Sequence, residues 1–245
     1  MSIMQKIRYA SDYKEQWLRV FLYGGMRSGK TTSAASFPAP FFIGAPNENG
    51  IQTLRGLEVP YFVPGESDIL KVMGEMNELL SELHADVTRL GVAKDGGAQW
   101  RAKWGSTIIW DSVSHYADAV VNNLTTVEDP RTKVLTRVDT SQQTWGKLRT
   151  HLTNIRDVLF RLPCHVVITA LDDQTTDEKG NVTWHGPRIQ GAAGELIPSS
   201  CELVGFCDSI PPSSYVIYFQ KFGKAEAGTR LTTMQPGMLR VGKDP

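Results

Sequence analysis

The spacing of apolar residues changes period along the chain, and each change marks an element. Residues 18–23 (LRVFLY) form a nearly continuous apolar run that stops at Gly24-Gly25, the pattern of a strand buried on both faces. Similar short runs at 41–45, 61–63, 107–110 and 165–171 predict further strands. Between 67 and 90 the period becomes three and four. Ile69, Val72, Met73, Met76, Leu79, Leu80, Leu83 and Val87 make one helical stripe, with Ser67 placed to cap its start and Gly91 to end it. Residues 143–162 repeat the pattern with Leu148, Leu152, Ile155, Leu159 and Leu162, ended by Pro163. Shorter helices are expected over 30–36 and 113–122. The polar stretches 93–105, 126–140 and 172–195 read as loops, and 215–219 and 229–233 as closing antiparallel strands. Residues 1–17 read as an irregular arm and 236–245 as a tail. Strands alternating with helices predict an α/β fold with a largely parallel sheet flanked by helices. No linker divides the 245 residues, so one domain is expected.

Composition narrows the class. Hydrophobic residues are 41% and charged residues 21%, which excludes a disordered chain. No run approaches 18 apolar residues and the first 17 hold no apolar signal core, so no membrane partner is expected and a cytoplasmic setting fits. Three cysteines (164, 201, 207) without CxxC spacing argue against a disulfide framework and a zinc site. The 26 cations balance 26 acids, which excludes a uniformly basic nucleic-acid coat. Neutrality is a local cancellation, however. Residues 131–161 carry seven Lys/Arg against two acids, and 162–213 carry two against seven.

The strongest chemical signal is 24–31, Gly-Gly-Met-Arg-Ser-Gly-Lys-Thr, which fits G-x-x-x-x-G-K-[ST] between a predicted strand and a helix start. Gly24 and Gly29 allow tight turns, so the amides of Gly25, Met26, Arg27 and Ser28 can face one concavity that accepts phosphate oxygens. Lys30 adds a charge for the β and γ phosphates, Thr31 a hydroxyl for Mg²⁺, and Thr32 lies on the same first helical turn. The second signal is Thr107-Ile108-Ile109-Trp110-Asp111-Ser112: a second parallel strand, expected beside the first, whose terminal Asp111 can hold Mg²⁺. A helix N-cap is the plainer role for Asp111.

At these residues the chain resembles the RecA-like ATPases. More closely, it resembles the phage nucleotide-binding proteins of the single-strand-annealing and recombinase type. The resemblance implies a RecA-like P-loop core, ATP and Mg²⁺ as cofactors, single-stranded DNA as a partner, and a homo-oligomeric ring or filament, with a single-strand-binding protein as a further partner. It implies that Glu48, in Ala45-Pro46-Asn47-Glu48-Asn49-Gly50, orients the attacking water, although Pro46-Asn47 departs from the usual pattern. It also implies a γ-phosphate sensor at Thr169, with Gln174 the alternative. The loop at 126–140 (Arg131, Lys133, Arg137) and the loop at 172–195 (Lys179, Trp184, Arg188) would face DNA, where cations contact phosphates and Trp184 stacks on a base. Lys221, Lys224 and Arg230 would reach the nucleotide of a neighbouring subunit. Asp172-Asp173 read as solvated loop or as residues around the metal, and Cys164 and His165 as packed strand residues. Two other functions stay open: a P-loop phosphotransferase acting on a small molecule or nucleotide, and a non-catalytic module gated by ATP.

Overall fold

The computed structural model describes residues 17–132, 134–210, 214–231, 234 and 237–241. Residues 1–16 of the arm expected over 1–17, Lys133, residues 232–233 of the last expected strand, and the tail residues 236 and 242–245 lie outside them. Along the chain, β1 (Arg19–Gly24) is followed by α1 (Lys30–Ala35), β2 (Pro40–Ile43) and β3 (Tyr61–Phe62). Helices α2 (Val72–Arg89), α3 (Val92–Asp95) and α4 (Ala98–Trp104) precede β4 (Thr107–Trp110). Next come α5 (Val113–Thr125), β5 (Thr126–Glu128), β6 (Leu135–Arg137) and α6 (Gln142–Leu159). The chain continues through β7 (His165–Thr176), β8 (Val182–Pro187), α7 (Ala193–Leu196) and β9 (Leu203–Ile210). It closes with β10 (Ser214–Tyr218), β11 (Gly228–Thr229) and β12 (Met238–Val241).

The main sheet runs β12-β10-β9-β1-β7-β4-β2-β3. From β9 to β3 all neighbours are parallel, while β10 and β12 join antiparallel at one edge. This is the α/β architecture with a mostly parallel sheet that the alternating pattern predicts. Because side chains alternate across a strand, Val20 and Leu22 of β1 enter one apolar cluster, with Phe42, Ile109, Val167 and Ala34. Phe21 and Tyr23 enter another on the opposite face, with Met76, Leu83, Tyr116, Leu152 and Ile155 from α2, α5 and α6. Burial on both faces accounts for the unbroken apolar run.

Several expectations are corrected. The Asp111 strand does not lie beside the first strand: β7 is inserted between β1 and β4. Residues 93–105 are not an exposed loop. They hold most of α3 and all of α4, because Trp100 is fully buried and its indole donates to the Leu83 carbonyl (3.0 Å). The stretch 126–140 contains the separate hairpin β5–β6. In 172–195, β7 runs on beyond the sheet and pairs with β8. Asp68, not Ser67, caps the helical run, accepting from the Leu70 amide (3.0 Å); a 3₁₀ turn over Ile69–Lys71 then leads into α2. Of the strand expected at 229–233, Thr229 lies in β11 while Arg230 and Leu231 are in no strand, and part of the expected tail is β12, paired with β10.

Candidate functional site

Parallel strands put their carboxyl ends on one edge, and the connections leaving that edge carry the candidate residues. Residues 25–29 link β1 to α1. Gly29 has φ +82°, and a Cβ there would meet the Tyr215 ring at 2.5 Å. A Cβ on Gly24 would lie 2.1 Å from the Cys207 carbonyl of the neighbouring strand. Only glycine fits either position. Lys30 is largely buried. Its Nζ curls back over the loop, donating to the carbonyls of Gly24 (2.9 Å) and Gly25 (2.7 Å) and approaching Ser28 Oγ (3.4 Å). Burial lowers the Lys30 pKa, and Asp111, Asp172 and Glu48 oppose that shift. The first-turn amides of α1 have no acceptor one turn back and border a cleft of about 470 Å³. Met26, Arg27, Ser28, Thr31 and Thr32 also line this cleft.

Across the cleft stands the end of β4. Asp111 is almost fully buried. Its Oδ2 accepts from Thr31 Oγ1 (2.7 Å), and Oδ1 accepts from Thr169 Oγ1 on β7. Burial first, and the nearby Glu48 charge second, push the Asp111 pKa up. The Asp111–Ser112 peptide is cis. Ser112 caps α5, so Asp111 precedes the cap and does not fill it.

Glu48 enters from the connection after β2. Its Oε2 accepts from the Ser112 amide (2.7 Å) and its Oε1 lies 3.0 Å from His115 Nδ1. A Cβ built on Gly50 would be 3.2 Å from Asp111 Oδ2 and 3.5 Å from Glu48 Oε1. The two carboxylates thus converge on one small space, with the Thr31 hydroxyl beside it. Asp111 and the Thr31 hydroxyl suit Mg²⁺, a hard cation that takes few protein oxygens and retains water and phosphate ligands. No group of three or more His, Cys, Asp or Glu suited to a metal occurs among the described residues.

The other candidates are scattered. The Thr169 hydroxyl is fully buried and directed at Asp111. The side chain of Arg131 sits at the tip of the exposed β5–β6 hairpin and that of Arg137 on β6. Lys179 lies in the β7–β8 turn, and Trp184 is 40% exposed over Gly186. Arg188 pairs with Asp118 of α5 (3.0 Å). Lys221 pairs with Glu226 (3.0 Å), and the Lys224 carbonyl accepts from the His185 amide. The Arg230 amide donates to Glu202, which in turn accepts from the Arg19 amide at the start of β1. Arg230 is therefore at the end of the sheet opposite the phosphate loop. The motifs missed His115 and Tyr215, both of which line the cleft. The signal for His115 was its spacing of three from Ser112 at a helix start; Tyr215 left none, since chain folding alone brings it to Gly29.

A family model described as an AAA domain matches residues 16–231. No curated protein matches the chain. Among solved structures, the RadB recombinase aligns over 91% of this chain and 86% of its own, with a TM-score of 0.46 and 14% identity. A KaiC-like protein from the hyperthermophilic archaeon Pyrococcus horikoshii aligns over 91% and 84%, with a TM-score of 0.48 and 12% identity.

Proposed function

The chain belongs to the AAA-domain family, and from this membership we propose that it is a Mg-ATP-dependent ATPase acting on single-stranded DNA as a homo-oligomer, in annealing or strand exchange of the kind found in phage recombination. The observation that carries the nucleotide half is the facing of Lys30 and Thr31 by Asp111 and Glu48 across one cleft. The loop amides and Lys30 would hold the β and γ phosphates. Thr31 and Asp111 would hold Mg²⁺, which supplies charge neutralisation at the phosphates. Glu48 spends one lone pair of each oxygen on Ser112 and His115, leaving the others to align water or accept its proton. The DNA half rests on the exposed cations of the β5–β6 hairpin and on Trp184, which offer phosphate contacts and a stacking surface.

The test is ATP binding by calorimetry, with hydrolysis measured with and without single-stranded DNA, in wild type and Lys30→Ala. The expected result is hydrolysis stimulated by DNA, and loss of ATP binding in the variant while its fold, read by circular dichroism, survives. Equal ATP affinity in the variant would overturn the nucleotide site. Turnover indifferent to DNA but dependent on a small acceptor would favour a phosphotransferase.

A further inference from the structure

Glu48 follows the buried residues 44–46 of the connection after β2 and comes one residue after Asn47 at φ +62°. Such a turn does not fix a side chain. Two donors from the first turn of α5 do: the Ser112 amide at Oε2 (2.7 Å) and the His115 ring at Oε1 (3.0 Å). A carboxylate only accepts, so the Nδ1 facing it carries the proton. Ser112 Oγ lies 2.8 Å from the same nitrogen, so the single Nδ1–H is shared between the hydroxyl and the carboxylate. The positive end of α5 adds to the hold on the carboxylate.

We propose that His115 is a positioning residue that fixes the Glu48 carboxylate by donating from Nδ1 to Oε1, aiming the free lone pairs of Glu48 into the cleft. This rests on the reading of Glu48 as the carboxylate that orients water. With only the Ser112 amide, the carboxylate can rotate about its last torsion. With a donor on each oxygen it cannot. Besides Glu48, the charged groups acting on the ring are Arg188 from the end of the β7–β8 hairpin and Asp118, one turn further along α5. Glu48 holds the imidazole pKa above its ordinary value, against the burial that lowers it.

Two measurements test the proposal. In steady-state hydrolysis, His115→Ala should lower kcat about 10- to 100-fold, as misplacement of a reacting group does, with the ATP Kd unchanged. His115→Asn, whose amide can donate from the Nδ1 position, should recover most of the loss. In a Glu48→Gln background, His115→Ala should cost nothing further. An unchanged kcat in His115→Ala, or an equal further loss in the Glu48→Gln background, would overturn it. The second measurement is NMR titration of the His115 ring, which decides the contact whatever the turnover. Its pKa should fall when Glu48 becomes Gln, and an unmoved pKa overturns the proposal. Full kcat in Glu48→Gln alone would instead remove the role of Glu48, while leaving the NMR result to report the contact.

Discussion

A carboxylate on the apolar stripe of a helix is a residue-scale anomaly with a residue-scale consequence. Asp86 of α2 is fully buried. Its Oδ2 accepts from Lys103 Nζ (2.7 Å) and Trp104 Nε1 (2.7 Å) of α4, and its Oδ1 accepts from Arg89. The Lys103 bond, with those of Trp104 and Arg89, draws its pKa down to about 2 against the penalty of burial. An unfolded Asp titrates near about 3.9. A lowered folded pKa gives stability that is full above that value and is lost as pH falls toward about 2. Urea midpoints should therefore fall between pH 4 and 2 in wild type. Asp86→Asn should be less stable by about 1–3 kcal/mol at pH 7, and the gap should narrow with acid. A gap constant down to pH 2 would show that the charge plays no part. The sequence held the clue, because Asp86 follows Leu83 by three and so faces inward with the stripe. The gathering of Lys30, Thr31 and Asp111 at one cleft was legible because fixed spacing and a strand-to-helix setting mark them locally. His115 left only its spacing from Ser112, because its contact with Glu48, like the approach of Tyr215 to Gly29, joins residues far apart in the chain.

At the scale of elements, long periodic segments were readable and short ones were not. The helices α2 and α6 show their stripes over 18 residues each, so tertiary context had little to add. Residues 93–105 misled because Gly96-Gly97 suggested a turn, whereas Trp100 and Trp104, spaced by four, were the helical signal. The hairpins were hidden by their polar residues, which two-stranded ribbons open to solvent can carry. In β5–β6, Thr126 pairs with Arg137 and Glu128 with Leu135, and Val127, Val134 and Leu135 stay more than half exposed. Changing Arg131, Lys133 and Arg137 together to Ala should weaken binding of single-stranded DNA. The slope of log affinity against log salt should fall by about 0.7 for each phosphate that no longer meets a cation. An unchanged slope would clear this hairpin and leave the β7–β8 hairpin as the candidate.

For the whole molecule, the placement of the last cations bears on assembly. Arg230 bonds at the starting end of β9, about 17 Å along the strand direction from the phosphate loop. It cannot serve its own nucleotide from there, though a neighbour's remains open to it, and to Lys221 and Lys224. If they act across subunits, specific ATPase activity should rise with protein concentration, by as much as about 10³–10⁵-fold over the isolated chain. Mixing Lys30→Ala subunits with Arg230→Ala or Lys224→Ala subunits should restore part of the turnover, and absence of both effects would make these cations surface charge. The pairing order of the sheet also sets a timetable for biosynthesis. β1 is made early, yet it is flanked by β7 and β9, and its Arg19 amide bonds Glu202, 183 residues later. At about 5–20 residues per second, a ribosome needs on the order of ten to forty seconds to bridge that gap. Until β7 emerges the nascent 18–23 run has neither of its strand partners, and until β9 emerges it has only one, so it is exposed to holding chaperones. The close contacts of Gly24 with Cys207 and of Gly29 with Tyr215 form only after β9 and β10 have emerged, so a fragment released before then would carry the whole motif with one wall of its cleft missing.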